Sequence, residues 1–294
     1  MRIGAFEVTE PLPELVDPSI VSILHPWVDA GRVGSLILTR LEEHFKAQEV
    51  AKLAIPGQFF DFTRYRPTTH YVEEHRVFTV PNCTLTLAQR EGESDLLFFH
   101  LLEPHAFAEE YVESILELLK TLGAKRHCRL GAMYDAVPHT RPLPVTQSIG
   151  GQQVDRRTGQ LLPRRRRYQG PTSIMNLVGE GMDNLGIENM SLMVRLPYYA
   201  QLEEDYAGAA RLLEILCELY KLPSSLLDSF LSHQQYREIN AEIASNPAAK
   251  SLVQRLEADY DAEENDSPPK EEPPPLSPEV EKFLREIDKD FGSN

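Results

Sequence analysis

Hydrophobic positions between about residues 18 and 260 repeat with two periods in turn, and the alternation predicts the elements. PSIVSILHP reads as a strand, and GSLILTRLEEHF after it carries its apolar residues at helical spacing. QEVAKLAI is a second strand. THYVEEHRVFTVP and CTLTLAQR both alternate and are rich in β-branched residues, so a hairpin turning at Asn82 is expected. DLLFFHLLEP is a long apolar run, suited to a strand buried on both faces. AFAEEYVESILELLKTLGA reads as a helix ended by Gly123, and RHCRLGAMYDAVPHTRP as a strand running into a loop. PLPVTQSIGG, an Arg-rich loop, the helix SIMNLVGEGMDNLG and the strand NMSLMVRLPYY follow. A helix over EEDYAGAARLLEILCELYKL comes next, then two helical stretches divided near Pro223 and Pro247.

Strands alternating with helices at this spacing predict an α/β fold: a three-layer α/β/α sandwich around a mostly parallel or mixed sheet, with C-terminal helices added. In such sheets ligands bind beyond the carboxyl ends of the strands, so residues just after each strand carry the functional weight. The expected organisation is an α/β domain over 1–222, a helical extension over 223–260, an acidic Pro-rich linker over 261–278 and an amphipathic tail helix over 279–294. In that tail Val280, Phe283, Leu284, Ile287 and Phe291 share one helical face, and Ser277 is placed to cap it. A lone helix of this length is marginal in water, so it needs a surface to dock on, in its own domain or in a partner.

Charge and cysteine content narrow the function classes. Thirty Lys and Arg against forty-five Asp and Glu leave a net charge of −15 over 294 residues, which opposes general binding to nucleic acid or anionic lipid. Residues 259–294 account for −8 of it. Cys83, Cys128 and Cys217 are odd in number and far apart, which argues against a disulfide framework or a thiolate metal site and fits the cytoplasm. MRIGAFEVTE has two acids and no apolar core, so no secretory signal is expected, and no apolar run is long enough to span a membrane. GEGMDNLG lies inside an expected helix and fails the dinucleotide fingerprint. Phosphate-loop and nucleophile-elbow motifs do not occur, and no cofactor or metal is expected.

Three polar clusters follow strand ends. In HPWVDAG, Trp27 precedes Asp29 and Gly31 at a strand-to-helix turn, where Asp29 can cap the helix or accept from a ligand. FFDFTRYRP interleaves aromatics with Asp61, Arg64 and Arg66, a composition shared by interface hot spots and by ordinary surface packing. DAVPHTRP gathers Asp135, His139, Thr140 and Arg141 between two prolines. His139 is a candidate general base there and Arg141 an anion grip; the competing reading is a rigid loop whose polar groups satisfy one another or a neighbouring subunit. Asp29, Glu103 and His139 are the candidate catalytic set. Six arginines in the loop from Arg156 to Arg167 could bind phosphate or nucleic acid, or pair with acids of the same chain or a neighbouring subunit.

At these residues the sequence resembles the PAC2 family, named after a proteasome assembly chaperone subunit. The resemblance rests on WVDAG (27–31), FFDFTRYRP (59–67), LLEPH (101–105), VPHTRP (137–142), YQGPTSI (168–174) and LPYYAQ (196–201), in order along the chain. It adds Thr172 and Tyr198 to the candidate partner-binding residues. It implies a nucleoside phosphorylase-like fold, homo-oligomerisation and binding to other proteins, with a scaffolding role in proteasome-ring assembly for eukaryotic and archaeal relatives. The chain ends in Gly292, Ser293 and Asn294, unlike the hydrophobic-Tyr-any tripeptide with which archaeal relatives dock. The leading expectation is a self-associating protein-binding scaffold. The alternative is a small-molecule enzyme of phosphorylase, hydrolase or ligase type using the strand-end residues.

Overall fold

A computed structural model describes residues 1–154, 170–227 and 230–265. The arginine loop and the tail helix lie outside these residues. In chain order the elements are β1 (Arg2–Ile3), β2 (Phe6–Val8), β3 (Ser19–His25), α1 (Val33–Phe45), β4 (Gln48–Leu53), β5 (Thr68–Val72), β6 (His75–Thr79), β7 (Thr84–Ala88) and β8 (Leu96–Leu102). There follow α2 (Ala108–Thr121), β9 (Arg126–Asp135), β10 (Val145–Ile149), β11 (Gln152–Val154), α3 (Ile174–Asn184), β12 (Glu188–Pro197), α4 (Tyr206–Tyr220), α5 (Phe230–Ser245) and α6 (Pro247–Asn265).

Among the described residues ten strands make one mixed sheet in the order β1-β2-β4-β7-β8-β3-β9-β12-β10-β11. Its centre, β8-β3-β9-β12, is parallel, and the pairings on either side are antiparallel. The continuous apolar runs of β3 and β8 arise because helices cover both faces. Phe99, Leu24 and Ile20 face Tyr111 and Ile115 of α2 and Val178 of α3; Phe98, Val21 and Ile23 face Ile37 and Leu41 of α1 and Leu212 and Leu216 of α4. Gly123 ends α2 as expected, with φ +68° and its N–H on the Lys120 carbonyl. α5 packs on α4 and α6 on α5, beyond the three layers.

Two expectations change. The hairpin forms within THYVEEHRVFTVP, pairing β5 with β6 from Thr68–Thr79 to Val72–His75 around Glu73 and Glu74, both at positive φ; it does not turn at Asn82. Asn82 instead brackets Leu53, accepting from its N–H and donating to its carbonyl at 3.1 Å each, and this anchors β7 within the main sheet beside β4. The α6 helix runs to Asn265, so it occupies the first five residues expected as linker; Asp261, inside that overlap, is held by Arg141.

Candidate functional site

The parallel strands β8, β3, β9 and β12 all end at one edge, and the sequence clusters sit there in that order: Glu103, Asp29, the 135–142 loop and Tyr198. Asp29 is buried. Its Oδ1 accepts from the Gly34 N–H at 2.7 Å, within the first turn of α1, and its Oδ2 accepts from the Ser35 hydroxyl at 2.6 Å. Both carboxylate oxygens are thus committed to the first turn of α1. His25 Nε2 stands 2.7 Å from the same hydroxyl, and burial lowers the imidazole pKa against the pull of Asp29. The Ser35 proton points to the carboxylate, so the imidazole is not its base, and the trio lacks a nucleophile's geometry. Gly31, at φ +57°, lies against α4's start: a Cβ there would come within 2.7 Å of the Asp205 Cβ. Trp27 is 56 % exposed beside this turn.

Glu103 sits where β8 ends. Its Oε1 accepts from the Ile174 N–H at 2.8 Å, securing the start of α3. Its Oε2 is buried without a partner among the described residues, and burial raises the carboxyl pKa against the Ile174 bond. Thr172 is exposed and receives a hydrogen bond from the Asn176 amide.

The DAVPHTRP loop is satisfied within the chain. Asp135 pairs with Arg195 at 2.5 Å and accepts from the Ala136 N–H; burial pushes its pKa up, but these bonds outweigh it and hold the carboxyl low. His139 is buried. Asn240 Oδ1 of α5 can only accept, so Nε2 donates to it at 3.0 Å, and the neutral ring's Nδ1 accepts from the Tyr199 hydroxyl at 2.7 Å. That hydroxyl in turn accepts from the His139 backbone N–H at 2.9 Å. Burial lowers the imidazole pKa, partly offset by Asn240 and Glu257. Thr140 donates to Glu257 of α6, and Arg141 grips Asp261 with two bonds of 2.8 Å while Nη1 reaches Glu257 at 3.4 Å. That pairing raises the Arg141 pKa and lowers that of Asp261. The Tyr260 hydroxyl closes the contact on the Pro142 carbonyl at 2.9 Å.

FFDFTRYRP lies on the α2 side. Phe59 and Phe60 are buried against Tyr111, while Asp61 turns back on Thr63, whose N–H and hydroxyl hold its carboxyl below the usual range. Arg64 reaches Asp61 at 3.9 Å, and Arg66 is exposed. Tyr198, 40 % exposed, stacks edge-on against Tyr199.

The strand-end groups thus share an edge while each is committed to a different internal contact: Asp29 to α1, Glu103 to α3, His139, Thr140 and Arg141 to α5 and α6. A separate open groove of about 430 Å³ runs between α1 and α4, its apolar lining including Leu36, Ile37, Leu213, Leu226, Leu227 and Leu231. Of the candidate catalytic residues Asp29, Glu103 and His139, none lines it. No cluster of three His, Cys, Asp or Glu suited to a metal occurs among the described residues. Sequence reasoning missed Tyr199, Asn240, Glu257 and Asp261, the counterparts of the His139 loop, because each lies 60 or more residues from it. Asp205 was also missed, though an Asp three residues before Gly208 at a helix start is a readable capping signal; its Oδ1 accepts from the Gly208 N–H at 2.7 Å.

A family model for the PAC2 family matches residues 23–244. The chain belongs to the PAC2 family. Its fold matches that of a Mycobacterium tuberculosis protein of unknown function with a TM-score of 0.77 at 25% identity, over 90% of this chain and 91% of that one. A PAC2 family protein from Streptomyces avermitilis matches at 0.67 and 25% identity, over 82% and 99% of the two chains. A Mycobacterium tuberculosis proteasome-assembly chaperone homologue matches at 0.68 and 21% identity, over 80% and 99%; at that identity the likeness is one of fold. A search of functionally curated proteins finds no match. No helix among the described residues is long and apolar enough to cross a membrane.

Proposed function

We propose that this PAC2-family protein is a self-associating scaffold that binds other proteins in the manner of an assembly chaperone, with the β5–β6 ribbon as its contact arm. The observation that carries this reading is the ribbon's bareness. Every residue of β5 and β6 is exposed, yet the ribbon holds Tyr71 at 70 % exposure, Val72 and Phe78 at 54 % each, and Val77 at 38 %. A free two-stranded ribbon is marginal in water, and aromatic and Arg side chains concentrate at the centres of protein interfaces. Arg76 lies 4.7 Å over the Phe78 ring, forming such a cluster.

The occupant is the same ribbon of a second copy. β5 and β6 pair only with each other among the described strands, so both outer edges are open to a further strand, and a two-fold pairing of identical ribbons is self-complementary. Residues 68–80 carry one Arg and two Glu, so two apposed ribbons repel little within a strongly acidic protein. The carboxyl-edge residues fit this division of labour, since their polar groups hold the chain's own helices. Sedimentation velocity on the full chain with Tyr71→Ser and Phe78→Ser together tests it. A shift from oligomer to monomer at unchanged helix content is expected; an unchanged sedimentation coefficient, or a monomeric parent, overturns it.

A further inference from the structure

One largely buried cation in the main sheet has no counterion among the described residues. Arg129 lies mid-strand in β9, its Nε sealed from solvent and without a hydrogen bond, and the guanidinium has no hydrogen-bond or ion-pair partner among the described residues. Every other partly buried guanidinium discussed above is answered: Arg141 by Asp261, Arg195 by Asp135. Withdrawing a guanidinium from water without an anion costs several kcal/mol, so such a group is retained where something negative meets it. Burial lowers the Arg129 pKa against the Cys128 thiol, and no carboxylate among the described residues opposes this.

The register places hydroxyls beside it. Arg129 is level with Ser22 of β3 on one side and Ser191 of β12 on the other, and Ser191 is level with Ser148 of β10. Residues level with one another on adjacent strands share a face and stand about 4.8 Å apart. The row Ser22, Arg129, Ser191, Ser148 therefore crosses the face that carries α2 and α3. On the same row toward the other edge stand Phe99 and Leu85, both in the core, so the polar stretch is local. Ser22 is occupied by His127 Nε2 at 2.6 Å. Ser148 and Ser191 bond each other at 2.6 Å, which uses one hydroxyl proton and leaves the second to donate outward. In the next row Met193 leans over Gly131, its Cε where a Cβ of that residue would point, and provides an apolar wall.

We propose that Arg129, with the Ser148–Ser191 hydroxyl pair, forms a binding site for a small-molecule oxyanion, a carboxylate or a phosphate, on the α2/α3 face of the sheet. The guanidinium supplies a planar fork for two oxygens and the free hydroxyl a third donor. This site is independent of the scaffold reading and uses none of its residues.

Thermal unfolding of the full chain, in inorganic phosphate, in acetate or in sodium chloride of matched ionic strength, tests it, with Arg129→Met and Arg129→Lys alongside. At about ten times the dissociation constant a bound anion raises the melting temperature by roughly 3 °C. That rise over chloride is expected in phosphate, in acetate or in both, which also identifies the preferred oxyanion. It should vanish in Arg129→Met and shrink in Arg129→Lys, which keeps the charge without the fork. Without added oxyanion Arg129→Met should melt at or above the parent temperature, since it removes an unpaired, largely buried charge. Equal anion shifts in parent and Arg129→Met, no shift with either anion, or a large loss of stability in both variants would overturn the proposal.

Discussion

The latch between the 137–142 loop and the C-terminal helices turns on His139, and His139→Ala measures it. The substitution removes two hydrogen bonds, from the Tyr199 hydroxyl at 2.7 Å and to Asn240 Oδ1 at 3.0 Å. Each is worth about 1 kcal/mol net, with more lost where the abandoned partner stays buried. The ring also fills space between Tyr199 and Tyr236, with both centroids 5.7 Å away, and losing that burial adds roughly 1 kcal/mol. The expected total is about 3 kcal/mol, or a melting-temperature drop of roughly 5 °C in a chain of this size. His139→Gln, which can restore one amide bond, should lose about half as much. Amide exchange provides the decisive readout: in His139→Ala protection should fall first in α5 and α6, with the central strands little changed. If both helices keep parental protection, or stability falls by less than about 1 kcal/mol, His139 is not the latch and the cluster must be explained another way.

Further outcomes follow from the same contacts. His127, bonded to Ser22 and Asn189, is pushed by burial down to about 4 from 6.5, so below pH 6.5 the unfolded chain takes up a proton that the folded chain refuses. Stability should therefore fall as pH drops from about 6.5 to 4, by about 3 kcal/mol from this residue, and a urea midpoint that stays flat or rises over that window contradicts it. Asp205→Ala should cost about 1–2 kcal/mol through loss of the α4 cap, and Asp205→Asn clearly less; equal losses in denaturant titrations would reject capping as the cause. Replacing Glu73 and Glu74 with Asn and Gly suits their positive φ and should slow amide exchange across the ribbon, whereas faster exchange would refute the turn geometry. Cys83, Cys128 and Cys217 are buried, the first two with thiols pushed up to about 12, so a thiol reagent should label them only on unfolding, and rapid labelling of the native protein would show otherwise.

The sheet was legible because β3 and β8 are nearly continuous apolar runs. β9 and β12 read as strands through the apolar residues of their α1/α4 face, and the helices between them by spacing. The β5–β6 turn was not legible, since Glu-Glu carries none of the Asn or Gly chemistry that marks positive φ, and Asn82 looked the better turn. The strand-end residues were found, but their work was not, because it is decided by partners far along the chain. Arg141 reads as an anion grip until Asp261, 120 residues later, arrives as the anion. Arg129 went unnoticed for the opposite reason: a charge within an apolar strand declares itself only when its neighbours are known and none answers it.

The proposed role of the ribbon as a contact arm between copies is most directly tested by placing a photo-crosslinking phenylalanine analogue at position 71 in the otherwise unaltered chain. Irradiation should yield a covalent dimer joined from residue 71 of one copy to residues 68–80 of the other, abolished by Phe78→Ser. Exclusively intrachain products, or interchain products scattered over the surface and insensitive to Phe78→Ser, would contradict the account.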